Sequence, residues 1–413
     1  MVERGLSRFV GRAAFAGEIV VAEPDCVMSH DNTSFIVDRF RQMGATRVWA
    51  PERIVIILDH CVPAPNPSYA QNHRDAEAFA SEQGIDEYLG TQAGISHQVM
   101  MERGHVLPGR LILGADSHST LYGAANAIGI PINRTEMAAI WATGSTWLRV
   151  PKTIAVHLEG APAPGVSAKD LCLWLLRQLG ADGAAYRSIE FLGPGALALD
   201  MSSRMTLCNM AVELGAKVGI FPCDDVTREY LKGRARAAYE PLAADPDASY
   251  EREVHVDLAE LEPQLACPHT VDNVEDVSAR AGTRIHQAYL GSCTNGRLED
   301  LRIAADILRG RRIADGVRLV VYPASVREAE RAREEGILEA LAEAGAEIMT
   351  ASCGPCFGVV GATLKEGEVC LSSSNRNFKG RMGSPDSYVY LASPATVAAS
   401  CLTGTITDPR SIQ

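Results

Sequence analysis

The feature that most constrains the fold is a pair of apolar runs that each lead into polar side chains. Residues 54–58 read Ile-Val-Ile-Ile-Leu and are followed by Asp59 and His60. A continuous run of this kind is typical of a strand buried on both faces of a parallel sheet. Residues 106–113 form a second apolar segment, which precedes Asp116-Ser117-His118. Because open α/β sheets bind ligands at the carboxyl ends of their strands, the pattern predicts an α/β fold with a site at that edge.

Cysteines form a second pattern later in the chain. Cys353 and Cys356 flank a Gly-Pro turn, and Cys293 follows the strand-like residues 285–290 in a Gly-Ser-Cys-Thr-Asn loop. Thiolates favour zinc, copper(I) or iron-sulfur clusters. A zinc site would need a fourth ligand at typical spacing, and a redox Cys-x-x-Cys pair would leave Cys293 unexplained. Spacing alone leaves open a cluster with one free iron, a redox or zinc turn, and buried structural cysteines.

These motifs occur in an order that resembles the aconitase family. The likeness runs from His30 to Pro394 and rests on Asp59-His60, Asp116-Ser117-His118, both cysteine motifs and Asn375-Arg376-Asn377-Phe378-Lys379-Gly380-Arg381. Within the family, the stretch Arg204-Met205-Thr206-Leu207-Cys208-Asn209-Met210 looks most like the large subunits of the 3-isopropylmalate dehydratase and homoaconitase type. The resemblance implies three α/β/α subdomains packed around a central 4Fe-4S cluster. Its implied metal ligands are Cys293, Cys353 and Cys356, which leave one iron without a protein ligand.

The same resemblance implies the other site residues. It pairs a carboxylate with an imidazole three times, and such a carboxylate would stabilise the protonated imidazole. The implied catalytic pairs are Asp59 with His60, Asp116 with His97, and Glu213 with His118. The implied substrate-binding residues are Ser117, Asn209, Asn295, Asn375, Arg376 and Arg381.

The activity implied by the resemblance is that of a hydro-lyase or isomerase which dehydrates and rehydrates a hydroxy acid. The leading substrate is 3-isopropylmalate, with homoaconitate, dimethylmalate, methylmalate and maleate as alternatives. Single-chain aconitases continue into a fourth, swivelling domain, whereas this sequence ends at Gln413. A small subunit that carries this domain is therefore an expected partner, in a heterodimer or heterotetramer. A Cys-x-x-Cys redox protein and an RNA-binding aconitase relative are the alternatives of other classes.

Length and charge narrow the remaining choices. A chain of 413 residues exceeds the usual size of a single core, so two or three subdomains are expected. The resemblance implies three, which we place at residues 1–151, 152–254 and 255–413. The net charge of -12 argues against binding to nucleic acid or an anionic membrane. No apolar run has the length of a membrane helix or the form of a signal peptide. With eleven cysteines and no regular spacing, a reducing, cytoplasmic location is expected.

Several local patterns carry further predictions. Asp31 or Thr33 is expected to cap a helix, and His30 is a second-rank site candidate. Ser167 should cap a helix over residues 167–179, and residues 326–344 should form one charged helix. Small residues at 123–125 would let the backbone approach a ligand. Arg134 departs from the usual family pattern and is either a change in pocket shape or a solvated charge.

Overall fold

The structure is a computed structural model that describes residues 1–412. The first part of the chain forms a five-stranded parallel sheet and a separate two-stranded antiparallel ribbon. Its elements are α1 (Val2–Val10), β1 (Ile19–Ala22), β2 (Cys26–Ser29), α2 (Thr33–Gln42), β3 (Ile54–Ile56), α3 (Pro67–Gln83), β4 (Glu87–Tyr88), α4 (Ser96–Glu102), β5 (Leu111–Gly114), β6 (Ile128–Pro131), α5 (Arg134–Thr143) and β7 (Thr146–Arg149). The sheet has the order β4-β3-β2-β5-β6, and β1 pairs with β7. This strand order confirms the predicted α/β class.

The middle part forms a four-stranded parallel sheet in the order β10-β9-β8-β11. Its elements are β8 (Lys152–Glu159), α6 (Ala168–Leu179), β9 (Arg187–Leu192), α7 (Pro194–Ala198), α8 (Met201–Met210), β10 (Val218–Ile220), α9 (Asp225–Leu231) and β11 (Arg252–Asp257). The division of the chain into three domains stays a prediction. Because β11 crosses the predicted boundary at 254 and pairs along its whole length with β8, we propose that the second unit ends after Asp257.

The last part forms a seven-stranded mixed sheet in the order β13-β12-β18-β17-β14-β15-β16. Its elements are β12 (Gln264–Ala266), β13 (Val274–Asp276), β14 (Gln287–Leu290), α10 (Leu298–Leu308), β15 (Arg318–Val321), α11 (Val326–Glu334), α12 (Ile337–Ala344), β16 (Glu347–Ile348), β17 (Val369–Ser372), β18 (Tyr388–Leu391) and α13 (Pro394–Thr403). Five adjacent strands of this sheet, β18, β17, β14, β15 and the edge strand β16, run parallel. None of the helices within residues 1–412 has the length and apolar character needed to span a bilayer.

One hydrophobic cluster is shared by all three large sheets. Alternate residues of β2 and β5, such as Met28 and Ile112, contribute to the same cluster as Val156 of β8 and Tyr289 of β14. The intervening residues of the first sheet face a second cluster, so that sheet is buried on both faces. Burial on two faces explains why the run at residues 54–58 is apolar throughout instead of alternating.

Local structure confirms one predicted helix start and changes others. Ser167 accepts from the Lys169 backbone N–H and forms a capping box with Asp170, as the sequence indicated. The predicted helix over residues 326–344 is wrong, because Gly336 adopts φ 67° and divides it into α11 and α12. Asp31 and Thr33 are not caps: Asn32 precedes α2, with no capping side-chain bond.

The small residues at 123–125 serve close packing of backbone rather than approach to a ligand. Gly123 lies in a 3₁₀ segment, Ser117–Ala125, and its carbonyl accepts from the Phe221 backbone N–H. A Cβ at Gly123 would lie 1.6 Å from the carbonyl oxygen of Gly219. The glycine therefore allows the first unit to pack against β10 of the second.

Candidate active site

A cavity of about 480 Å³ lies where the carboxyl ends of the first and third sheets face each other. Loops that follow β2, β3 and β5 line one side, and loops that follow β14 and β17 line the other. The lining includes most of the predicted site residues, namely His60, His97, Asp116, Ser117, His118, Cys293, Cys353, Cys356, Asn375, Arg376 and Arg381. Residues far apart in the chain converge here because parallel strands end at a common edge.

The Asp59-His60 pair follows β3 and is held by backbone donors. The His60 Nδ1 lies 2.6 Å from Asp59 Oδ1, while Asp59 Oδ2 accepts from the Ser96 N–H at 2.7 Å. Burial by itself would lower the pKa of His60, but the carboxylates of Asp59 and Asp116 outweigh it and hold that pKa well above its ordinary value. These carboxylates therefore favour the protonated, cationic form of His60.

Asp31 holds the loop that carries the Asp59-His60 pair. Its carboxylate accepts from the backbone N–H groups of Asp59 at 2.8 Å, His60 at 2.7 Å and Cys61 at 3.0 Å. The His73 Nε2 also lies 2.8 Å from Asp31 Oδ1. Burial opposes the charge, but these contacts, led by the hydrogen bond to His73, hold the pKa of Asp31 well below its usual range. Asp31 thus anchors the loop rather than capping α2.

Asp116 contacts three histidines of the cavity. Its Oδ1 lies 2.6 Å from His97 Nε2 and accepts from the His118 backbone N–H at 2.8 Å, and its Oδ2 lies 3.4 Å from His60 Nε2. Burial would raise the pKa of Asp116, but its contacts with His118, His60 and His97 hold that pKa well below the ordinary value. The other His97 nitrogen, Nδ1, lies 3.1 Å from the Tyr122 hydroxyl. Both ring nitrogens of His97 are thus engaged by the protein.

A third pair joins all three parts of the chain. The His118 Nε2 of the first part lies 2.9 Å from Glu213 Oε1 of the second. The Arg376 Nε of the third donates to both Glu213 oxygens, at 2.8 and 3.1 Å. Despite burial, His118 and Arg376 hold the pKa of Glu213 below its ordinary value. The His118 Nδ1 lies 3.3 Å from the Ser117 hydroxyl and 3.6 Å from Asp116 Oδ1.

Cys293, Cys353 and Cys356 are free thiols in the wall of the same cavity. Each is 6% exposed, and they carry no disulfide. The three sulfur atoms do not all lie within 4.8 Å of one another. Such a spread exceeds what a single small ion would need, whereas a multi-iron cluster bridges wider gaps between its thiolates.

Amide side chains surround the sulfurs. The Asn209 Nδ2 donates to Cys293 Sγ at 3.1 Å, and the Asn375 Nδ2 does so at 3.4 Å. The Cys356 thiol lies 3.5 Å from Asn375 Oδ1. Burial raises the pKa of Cys293 to about 12, which favours the neutral thiol as long as no cation binds the sulfur. Buried thiols with polar side chains around them are suited to a metal centre.

The Cys-Gly-Pro-Cys turn is shaped by its glycine. Gly354 adopts φ 51°, and a Cβ there would lie 2.5 Å from the Tyr322 ring. The Cys353 N–H donates to the Asp59 carbonyl at 3.1 Å, and the Cys353 carbonyl accepts from the Tyr289 hydroxyl at 3.1 Å. The turn is thus tied directly to the loop that carries His60.

Arginines supply positive charge to the cavity. The Arg381 guanidinium lies 5.7 Å from the Phe357 ring centroid, and its buried Nε has no hydrogen-bond partner among residues 1–412. Arg134 also lines the cavity, with its guanidinium 5.0 Å from the Phe35 ring centroid. Arg134 is an exposed residue at the cavity wall, so both interpretations of it, a change in pocket shape and a solvated charge, stay open.

Some predicted residues lie outside the cavity lining. Asn295 is buried and donates to Asp300 Oδ1 at 2.8 Å, so it supports the Cys293 loop, and its role as a substrate contact stays a prediction. Asn209 contacts a sulfur instead of the open space.

The structure also adds residues that sequence reasoning ranked low or missed. His30 stacks on His60 with ring centroids 4.2 Å apart, and its buried Nδ1 has no hydrogen-bond partner in the described chain. Cys61 lines the cavity as well, next to His60. Lys169 is fully buried and donates to the carbonyls of Ser373 and Ser374, just before Asn375. Of these residues, only His30 and Cys61 had a signal in the sequence, because they lie close to polar residues at the ends of strands.

Comparison with known proteins gives concordant matches. Residues 10–404 match the Aconitase family (aconitate hydratase). The chain is 49% identical to 3-isopropylmalate dehydratase large subunit 1 of Methanopyrus kandleri, over 99% of this chain and 98% of that one. It is 48% identical to a protein named "Probable methanogen homoaconitase large subunit" of Methanosarcina mazei, over 95% and 100%. The solved holo-form of aconitase X from Thermococcus kodakaraensis is 12% identical with a TM-score of 0.50, covers 91% of this chain and 88% of its own, and shares the fold alone.

Proposed function

The chain belongs to the aconitase family, and we propose that it is the cluster-bearing large subunit of a hydro-lyase, with 3-isopropylmalate as its leading substrate. One observation carries the proposal. Three free, buried thiols line the same cavity as the imidazoles of three imidazole–carboxylate pairs and three arginines. A redox turn or a set of core cysteines would need neither the histidines nor the arginines. Homoaconitate, dimethylmalate, methylmalate and maleate remain the alternative substrates.

Cys293, Cys353 and Cys356 are the proposed ligands of a 4Fe-4S cluster. When bound, such a cluster with an open iron would supply a Lewis acid that polarises the substrate hydroxyl. Asn209 and Asn375 donate N–H to Cys293 Sγ, which supports a negative charge on that sulfur. The hydrogen bond from the Cys353 N–H to the Asp59 carbonyl fixes the position of the thiol turn relative to the histidine side of the cavity.

Loss of water from a hydroxy acid requires a proton for the leaving hydroxyl. We assign its delivery to His118, which lines the cavity and whose Nε2 is held by Glu213, so that Nδ1 is the nitrogen left for the substrate. His97, engaged at both nitrogens, orients Asp116 instead. His60 adds fixed positive charge beside the substrate space, as its raised pKa implies.

Arg376 and Arg381 are the proposed carboxylate-binding residues. A guanidinium presents a planar fork of donors that matches a carboxylate. Arg376 uses its Nε for Glu213 and keeps the end of its fork for substrate, and the buried Arg381 Nε has no partner in the described residues. In a protein of net charge -12, local arginines in the cavity are needed to attract an anionic substrate.

A small subunit that carries a swivelling domain is the proposed partner. The relatives named above are called large subunits and match this chain over almost their whole length. We also propose a cytoplasmic location, because the eleven cysteines of the chain are all free.

The proposal is tested by anaerobic iron and sulfide analysis followed by assays on the panel of five acids. The chain should be reconstituted with and without its natural small subunit. We expect cluster-level iron and sulfide, activity that depends on the small subunit, and the highest turnover with 3-isopropylmalate. Absence of acid-labile sulfide, together with unchanged activity after chelation, would contradict the proposal, while preference for another acid would correct only its substrate.

A further inference from the structure

A second group of potential metal ligands lies on the four-stranded sheet, apart from the cavity. His157 of β8 and His255 of β11 are direct partners in the parallel register. Glu253 precedes His255 by two residues, so its side chain points to the same face of the sheet. None of the three lines the cavity described above.

The three side chains converge closely. The His157 Nε2 lies 2.9 Å from Glu253 Oε2. The two imidazole rings are stacked, with centroids 4.7 Å apart and planes inclined by 10°. One ligand atom from each residue lies within 4.8 Å of the other two. Small rotations of side chains at a sheet surface would bring these atoms to the separation that a shared ion requires.

The group is open to solvent on one side. The His157 side chain is 25% exposed and that of Glu253 is 52% exposed. The His255 ring has no hydrogen-bond partner within residues 1–412 and contacts only the His157 ring among aromatic groups. An ion could thus enter without any rearrangement of the core, and water could complete its coordination.

We propose that His157, Glu253 and His255 form a binding site for a divalent transition cation of the zinc class. Two imidazoles and one carboxylate suit zinc, nickel or cobalt, and they would leave at least one position for water. This donor set discriminates against magnesium and calcium, which prefer oxygen ligands alone. The proposal concerns a different face of the molecule from the catalytic cavity and does not depend on the proposed function.

A bound ion is expected to hold the edge strand β11 more firmly to its sheet. β11 is the last strand of its sheet and has a single strand neighbour, β8. A bound ion would join β8 to β11 by side chains in addition to the backbone ladder. Edge strands open more readily than central ones, so the ion should raise the thermal stability of this part of the protein.

Isothermal titration of the anaerobic holoprotein with Zn²⁺ tests the site. The matched pair of variants is Glu253→Gln and Glu159→Gln, since Glu159 is an exposed carboxylate two residues beyond His157 on the same face of β8. We expect the wild type and Glu159→Gln to bind one more equivalent of zinc than Glu253→Gln and His255→Gln, or to bind it at least about tenfold more tightly. Zinc should raise the Tm of the first two proteins only.

Comparison among variants separates this site from other thiols or histidines, which are the same in every protein tested. Equal zinc uptake by wild type, Glu253→Gln and His255→Gln would overturn the proposal. So would a loss of uptake in Glu159→Gln as large as in Glu253→Gln. Circular dichroism of each variant without zinc checks that it is folded. Because Glu253 and His255 are exposed, their substitution should leave the fold intact, so a selective loss of zinc binding reports on the site itself.

Discussion

The carboxyl ends of the five-stranded and seven-stranded sheets face one cavity but carry different chemistry. Strands β2, β3 and β5 end in loops whose histidines and carboxylates form hydrogen bonds and ion pairs around Asp116. Loops after β14 and β17 instead carry Cys293, Asn375 and two arginines. The same strand-end geometry thus supplies proton-handling groups on one side and soft ligands with anion-binding groups on the other. The comparison predicts that damage to the two sides will have separable effects.

The largest effect is expected at the thiols. Cys353→Ser should abolish the broad visible absorbance of the anaerobically prepared protein, because the cluster would lose one of its three proposed anchors. Activity should be lost with it. Iron content and the absorption spectrum are the measurements. Cys223→Ser, which alters a half-buried cysteine outside the cavity, is the matched control. Full iron in Cys353→Ser would remove that residue from the ligand set.

The next effect tests the proton-handling side alone. His118→Asn should lower kcat by about 100- to 10,000-fold while the cluster spectrum stays intact, because a general acid is removed. Steady-state kinetics at matched iron content measure it, with His269→Asn as a control outside the cavity. Near-normal turnover would leave His118 as a core histidine that supports Glu213. Loss of iron in this variant would show that the two sides are not separable.

A smaller effect is expected for substrate binding. Arg381→Lys keeps the charge but loses the planar fork, so the apparent KM should rise by about tenfold, more than kcat falls. Arg309→Lys, a change to an exposed arginine of the third part, should be neutral. A fall in kcat at constant KM would instead assign Arg381 to the chemical step.

The smallest effect concerns the support of the histidine side. Asp31→Asn replaces one acceptor oxygen by an amide among backbone donors and should cost about 1–3 kcal/mol of unfolding free energy. Because the pKa of Asp31 is depressed in the folded state, its charge stabilises the protein above the unfolded pKa of about 3.9, and this contribution is lost as pH falls through the folded pKa.

The difference in Tm between wild type and Asp31→Asn should therefore narrow as the solution is made more acidic. Thermal unfolding across a pH series measures this difference. Asp38→Asn, at an exposed position of α2, provides the control and should show little change. A Tm difference that widens at acidic pH would mean that Asp31 does not carry its charge in the folded protein.

Local sequence determined those features that depend on neighbouring residues. The buried strand that begins at residue 54 and the Ser167 cap were readable because hydrophobic burial and capping bonds act over a few positions. The break at Gly336 was missed because a glycine inside a helical pattern ends a helix only when its backbone turns left-handed. The pairing of imidazoles with carboxylates came from family resemblance, not from spacing.

Only the tertiary structure decided which side chains face the cavity. The resemblance assigned Asn295 to the substrate, yet in the structure it is buried, donates to Asp300 and does not line the cavity. Asp31 looked like a helix cap, yet three backbone N–H groups from the loop after β3 bind it. His157 and His255, ninety-eight positions apart, became neighbours through the register of two parallel strands. The sequence determines which groups are present, but their partners depend on the packing of distant segments, where a buried polar group bonds to whichever donor or acceptor lies nearest.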